Sequence, residues 1–165
     1  MAISGAVHAA QGEGIYTYSS YGMEAENWGD PLFIMIGEAP RKMPPFVGAD
    51  SEVQRAAFCA ADESHICVAS EIVTFSVPKR LVSVGEEWVY NSIRFSVSRQ
   101  VRFSVLAHEI QGFRILAWNG TEIRWVFIYS YEIGLVMIED HSESRGAPIT
   151  YLLENKVGFG ANKRR

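Results

Sequence analysis

Acid–base and metal chemistry both lean on histidine, whose charge changes near neutral pH, and the chain offers four: His8, His65, His108 and His141. His108 and Glu109 begin a His-Glu pair. A zinc-protease helix would need a second histidine three residues after that glutamate, and Gly112 stands there instead. Glu139, Asp140, His141 and Glu143 gather carboxylates around an imidazole on a loop that follows a strand, a setting for a general base. No second histidine accompanies them at a defined spacing, so neither a metal nor another cofactor is expected. Nucleophile chemistry has no visible centre. There is no Gly-x-Ser-x-Gly elbow, no phosphate-cradling glycine loop with Lys and Ser/Thr, and no dinucleotide fingerprint. Cys59 has only apolar or acidic neighbours in sequence, which would raise its thiol pKa.

Two polar sets remain as weak catalytic candidates. One is Tyr90, Arg94 and His108; the other is Glu139, Asp140 and His141. The cations Arg94, Arg102, Arg114 and Arg124 are the candidate binding residues. They lie in the basic part of an otherwise acidic chain. Residues 1–78 carry 3 basic and 10 acidic groups, residues 79–124 carry 7 and 4, and residues 125–165 carry 5 and 5, for a net charge of −4. A field divided in this way steers charged partners. Trp118, Trp125, Phe127, Tyr129 and Tyr131 are strung beside Arg114 and Arg124. On an exposed sheet such a string could stack bases, but phosphate affinity is dominated by cationic contacts, so overall acidity makes nucleic acid an unlikely partner.

The elements that would position these residues are mainly strands. From His65 onward the apolar period is two. Ile66 and Val68 alternate in one phase and Val73, Phe75 and Val77 in the other, which implies a bend near residues 70–72. Val89, Ile93, Phe95 and Val97 form the apolar side of the next strand, and Val101, Phe103, Val105 and Ala107 that of its successor. A loop at Ser98, Arg99 and Gln100 would set Phe95 opposite Phe103, and would bring His108 opposite Tyr90 on a polar face with Ser92, Arg94, Arg102 and Ser104. Gln111 and Gly112 predict a turn. Asn119 and Gly120 predict a type I′ hairpin between residues 113–118 and 121–131. Gly134 reverses the chain into residues 135–139, and a last strand, Ile149–Leu153, follows a polar loop. Residues 15–21 and Leu32–Ile36 are strand-like, whereas residues 39–48, with Pro40, Pro44 and Pro45, predict a loop.

One helix is expected, over residues 51–61, because Ser51 and Gln54 fit a capping box and Val53, Ala57, Phe58 and Ala61 share a helical face. At 165 residues, with 48% hydrophobic and 21% charged residues, the chain suits a single domain. Its ends, residues 1–14 and 155–165, are expected to fray. The fold class expected is α+β: a predominantly antiparallel, curled or barrel-like β-sheet meander with one short helix packed on it. Arg124, Ser130, Glu132 and Gly134 break the longest apolar stretch, which excludes a transmembrane helix there. No signal-peptide pattern opens the chain. Cys59 and Cys67 are expected as buried reduced thiols in a cytoplasmic protein. No residues carry a family signature.

The absence of a catalytic constellation, together with the divided charge, leads to a macromolecule-binding module, an inhibitor or immunity-type protein that blocks a protein partner. The alternative is a small-ligand-binding protein or an enzyme with a polar site at the mouth of the sheet.

Overall fold

The computed structural model describes residues 14–21, 32–36, 45–49, 52–60, 63–105, 108–142 and 147–161. Ten strands form one sheet and three form another, and every pairing is antiparallel. β1 (Gly14–Tyr21), β2 (Leu32–Ile36), β3 (Phe46–Ala49) and β4 (Glu52–Arg55) step outward as a four-stranded flap. The small sheet follows, with β5 (Ala57–Phe58), β6 (His65–Ala69) and β7 (Thr74–Pro78). The chain then starts again at the far edge of the large sheet with β8 (Glu87–Tyr90). It meanders back through β9 (Ile93–Val105), β10 (His108–Asn119), β11 (Glu122–Ser130), β12 (Gly134–Asp140) and β13 (Ile149–Leu153). β13 pairs with β1 and so joins the meander to the flap. The sheet stays open, with β4 and β8 as its edges.

Alternation explains which side faces in. Along β9, Ile93, Phe95 and Val97 are buried while Arg94 and Ser98 are exposed. The small sheet covers this apolar side. All of β7 is buried, and the Phe75 ring meets Phe127 at 5.0 Å and Tyr129 at 5.6 Å between centroids. Each such ring removed from water contributes roughly 1.5–3 kcal/mol.

The expected helix is absent, and the described part of the chain contains none; the architecture is antiparallel β rather than α+β, and it is not a closed barrel. Residues 52–55 pair with β3, setting Gln54 opposite Val47, and residues 57–58 pair with β6. A helix here would have needed one buried stripe through Val53. That side chain is 60% exposed, whereas Ala56 is buried at the crossover between the two sheets. Gln54 caps nothing; its amide is held by Glu52 and Glu71. No helix among the described residues is long and apolar enough to cross a membrane.

The cysteines are not reduced. Cys59 and Cys67 form a disulfide with Cα atoms 5.2 Å apart. Their separation of 8 residues corresponds to about 2–3 kcal/mol of loop-closure stabilisation.

Four turns differ from expectation. The bend near residues 70–72 is the full β6–β7 reversal, with Ser70 N–H donating to the Val73 carbonyl. No loop interrupts residues 98–100, because β9 is one continuous strand; the reversal comes earlier, at Asn91 and Ser92, whose φ values of 48° and 63° are those of a type I′ turn. Gln111 and Gly112 lie inside β10. Gly112 serves close approach there, since a Cβ would sit 2.8 Å from the Tyr129 carbonyl oxygen. The Asn119–Gly120 hairpin exists one residue later, pairing Asn119 with Glu122, and only Gly120 has positive φ.

In place of a frayed end, residues 157–161 pack against the core after the exposed Asn155 and Lys156, while residues 1–13 and 162–165 lie outside the described set. Phe159 is fully buried. The Tyr18 hydroxyl donates to the Leu135 carbonyl at 3.1 Å and accepts the Phe159 N–H at 3.2 Å. The Tyr129 hydroxyl donates to the Gly160 carbonyl at 2.8 Å. Gly134, at φ 94°, has no room for a Cβ against the Gly158 and Phe159 carbonyls.

Burial pushes the hydroxyls of Tyr18 and Tyr129 far above the ordinary tyrosine range, and burial followed by the Glu86 charge takes Tyr131 up to about 12. The folded state therefore favours their protonated forms. That contribution is complete below the unfolded value of about 10 and is lost as pH climbs from there toward 12. We expect the urea midpoint to fall across that window, with buried tyrosinate appearing only as the protein unfolds. Reversible titration of every tyrosine in the folded state would contradict this.

Candidate functional site

Alternation separates Asp140 from its two neighbours. Glu139 and His141 meet each other, His141 Nε2 lying 2.5 Å from Glu139 Oε1, while Asp140 turns the other way and accepts from Arg124 Nη1 at 2.8 Å. The Arg124 geometry has a local cause. β10 and β11 shift register between Ala117 and Trp118: Ala117 faces Trp125 and Trp118 faces Ile123, so Arg124 is the extra residue of a β-bulge. The bulge lets consecutive side chains, Arg124 and Trp125, reach the same side, with the guanidinium 4.8 Å above the indole centroid. The Arg124 carbonyl takes the His141 N–H at 3.0 Å, and Asp140 Oδ1 also takes the Ser142 N–H at 2.9 Å.

Arg124, Trp125, Asp140 and Ser142, but not Glu139 or His141, line one end of a cleft of about 220 Å³ between the meander and the flap. Glu52 and Gln54 of β4 and Glu71 of the β6–β7 turn form the opposite wall. Gln54 is fixed there, since its amide donates to both glutamates and its carbonyl oxygen accepts the Glu71 N–H at 3.0 Å. Leu32, Ala49, Ile138 and Tyr151 back the cleft as buried side chains, and the half-buried Ile72 adds apolar surface. Two polar atoms of this lining are buried without any hydrogen-bond partner among the described residues: Trp125 Nε1 and Ser142 Oγ. Trp125 is only 5% exposed. Leaving such a group unsatisfied costs about 1–3 kcal/mol.

The other sequence candidates are not brought together. Tyr90 faces Ile93 and His108 faces Val105, so about 40 Å of strand separates them. Tyr90 lines an open groove with Arg55, Ser70 and Asn91, and burial raises its pKa, with the Glu63 charge adding to that effect. Arg94 lies on the outer face, paired with Glu87 at 3.1 Å and 5.0 Å from the Trp118 ring centroid. Arg114 faces Arg99 and reaches toward Ser98, and Arg102 is exposed opposite Gln111. The Glu63 carboxylate lies within 4.8 Å of both cysteine sulfurs, but a disulfide has no thiolate to offer a metal. Burial and then the charges of Arg80 and Lys79 lower the His65 pKa, and Nδ1 contacts Ser64 Oγ at 2.9 Å.

Glu52 and Gln54 escape the sequence reading because residues 51–61 read as a helix, and Glu71 because it falls in the bend expected near residues 70–72. Trp125 stands out in the sequence only as one of a string of aromatics beside Arg114 and Arg124. The signal that was present was the Asn-Gly hairpin beside Arg124, since a turn mismatched to its strands is where bulges arise.

Truncating Asp140 strands a largely buried cation and a backbone donor. We expect Asp140→Ala to lower unfolding free energy by about 1.5–3 kcal/mol and Asp140→Asn, which keeps the acceptor oxygen, by less. Equal losses in denaturant titrations would show that the ion pair does not organise this end of the cleft. Comparisons of the chain with protein-family models, curated proteins and solved structures found no match.

Proposed function

We propose that the protein binds a small polar ligand in the cleft beside Arg124 and Asp140. The observation that carries this reading is the pair of buried, unpartnered polar atoms, Trp125 Nε1 and Ser142 Oγ, in one lining. Buried polar groups are ordinarily satisfied, and exceptions concentrate where something else completes them. The cleft is small and mainly polar, with Glu52, Gln54, Glu71, Arg124, Asp140 and Ser142 converging on it, which suits a compact polar ligand. No catalytic step is assigned, because Ser142 Oγ makes no hydrogen bond to His141 that would activate it as a nucleophile. A disulfide persists in oxidising surroundings, so an oxidising compartment replaces the cytoplasm as the proposed location.

The test is a diverse small-molecule screen by ligand-observed NMR on wild type and Ser142→Ala. Removing an unsatisfied hydroxyl should leave unfolding free energy unchanged or raise it by up to about 1–3 kcal/mol, while weakening binders by a factor on the order of 2–10. A screen that returns no binder sensitive to Ser142 overturns the reading.

A second reading, a module that binds another protein, is favoured by one observation. Leu81, Val84 and Val89 are exposed by 73%, 58% and 69% on or beside the open edge strand β8. Unpaired edge strands recruit partner strands. Val89→Lys should abolish any complex formed at this edge without lowering stability, as judged by pull-down and denaturation. A complex that survives the substitution removes this edge as the interface.

A further inference from the structure

On the premise that the cleft is a ligand site, we propose that its ligand is a neutral, hydroxyl-rich compound: a monosaccharide unit or a polyol of like size. The lining decides this by elimination. Trp125 Nε1 is a donor with no acceptor capacity, so whatever completes it must present a lone pair. An ammonium group has none and cannot complete it. An anion has lone pairs, but among the described residues Glu52, Glu71 and Asp140 outnumber the cation Arg124 in the lining, and a further negative charge beside these carboxylates is repelled.

A hydroxyl meets both demands, accepting from the indole while donating to a carboxylate or to Ser142 Oγ. Several hydroxyls on one small framework match the spread of groups, from Trp125 and Ser142 at one end to Glu52 and Glu71 at the other. The half-buried Ile72 offers apolar contact for a C–H face of such a framework. The volume of about 220 Å³ restricts the site to a compact ligand.

The experiment measures binding to the intact, disulfide-bonded protein by isothermal titration calorimetry and ligand-observed NMR. The probes are neutral monosaccharides and linear polyols, the corresponding amino sugars, and the corresponding uronic acids and sugar phosphates. A further arm uses neutral oligosaccharides, to separate a free compound from the terminal unit of a glycan. Saturable binding of neutral compounds, weakened about tenfold in Trp125→Phe and unchanged in Glu109→Gln on the distant β9–β10 arm, is the expected result. Oligosaccharides binding at least as well as monomers would place a glycan end in the cleft, and their exclusion would place a free compound there. Both results support the proposal. Tighter, Trp125-dependent binding of the amino or acidic series overturns the chemical class while leaving the cleft as a ligand site. If none of these probes binds but the broad screen yields other ligands sensitive to Ser142, the class again falls alone. If that screen is also empty, both fall.

Discussion

The molecule is held as one body by the seam between β1 and β13. Tyr18 faces Leu153 and Tyr21 faces Thr150, and among the described residues this ladder is the only strand pairing between the flap and the meander. The seam is reinforced outside the ladder. Glu154 N–H donates to the Thr17 carbonyl at 3.0 Å, and the Thr17 N–H donates to Asn155 Oδ1 at 2.8 Å. Beneath it the buried Tyr18 hydroxyl ties β12 to the docked C-terminal segment through Leu135 and Phe159. Since a hydrogen bond in so dry a place is costly to leave unmade, Tyr18 fixes the separation of three chain segments at once.

The cleft is a product of that seam. Its two walls come from opposite sides: Glu52 and Gln54 from the flap, Arg124, Trp125 and Asp140 from the meander, with Glu71 contributed by the small sheet. None of these elements makes the site alone. The bulge at Arg124 then gives the meander wall its character, because a regular strand would send Arg124 and Trp125 to opposite faces. The rigid register on either side of the bulge holds the guanidinium between an indole and a carboxylate.

Much of this was legible in the residues. Period-two patterning identified the strand-rich body, the bounds of β2 and β13, and the reversal at Gly134. The failures have separate physical causes. Alanine content and a cap-like Ser51–Gln54 spacing outweighed sheet-edge pairing over residues 51–61, where local propensity is weak beside tertiary contacts. The Asn91–Ser92 turn lacks glycine, so a long apolar alternation hid a reversal, and the true length of β9 carried His108 away from Tyr90. Phe159 lies between glycines in a polar, basic tail, and nothing local reveals that its ring completes the aromatic cluster around Phe75. For the cleft, Arg124 and Asp140 were each singled out, but their pairing depends on a bulge, and the opposite wall depends on strands that only the assembled sheet reveals.

The distance along the chain between the two halves of the seam shapes how the protein comes into being. Tyr18 emerges from the ribosome long before Leu153, so the flap must wait for residues 149–153 before its inner edge is covered. Until then Ile34 and Val47, fully buried at the end, stay open to solvent and to other nascent chains. Pairings this remote in sequence form slowly, because closing the intervening loop comes before any contact rewards it. Completion of the sheet is therefore a late step in its folding, and the period before it is when these apolar strands most need protection from aggregation.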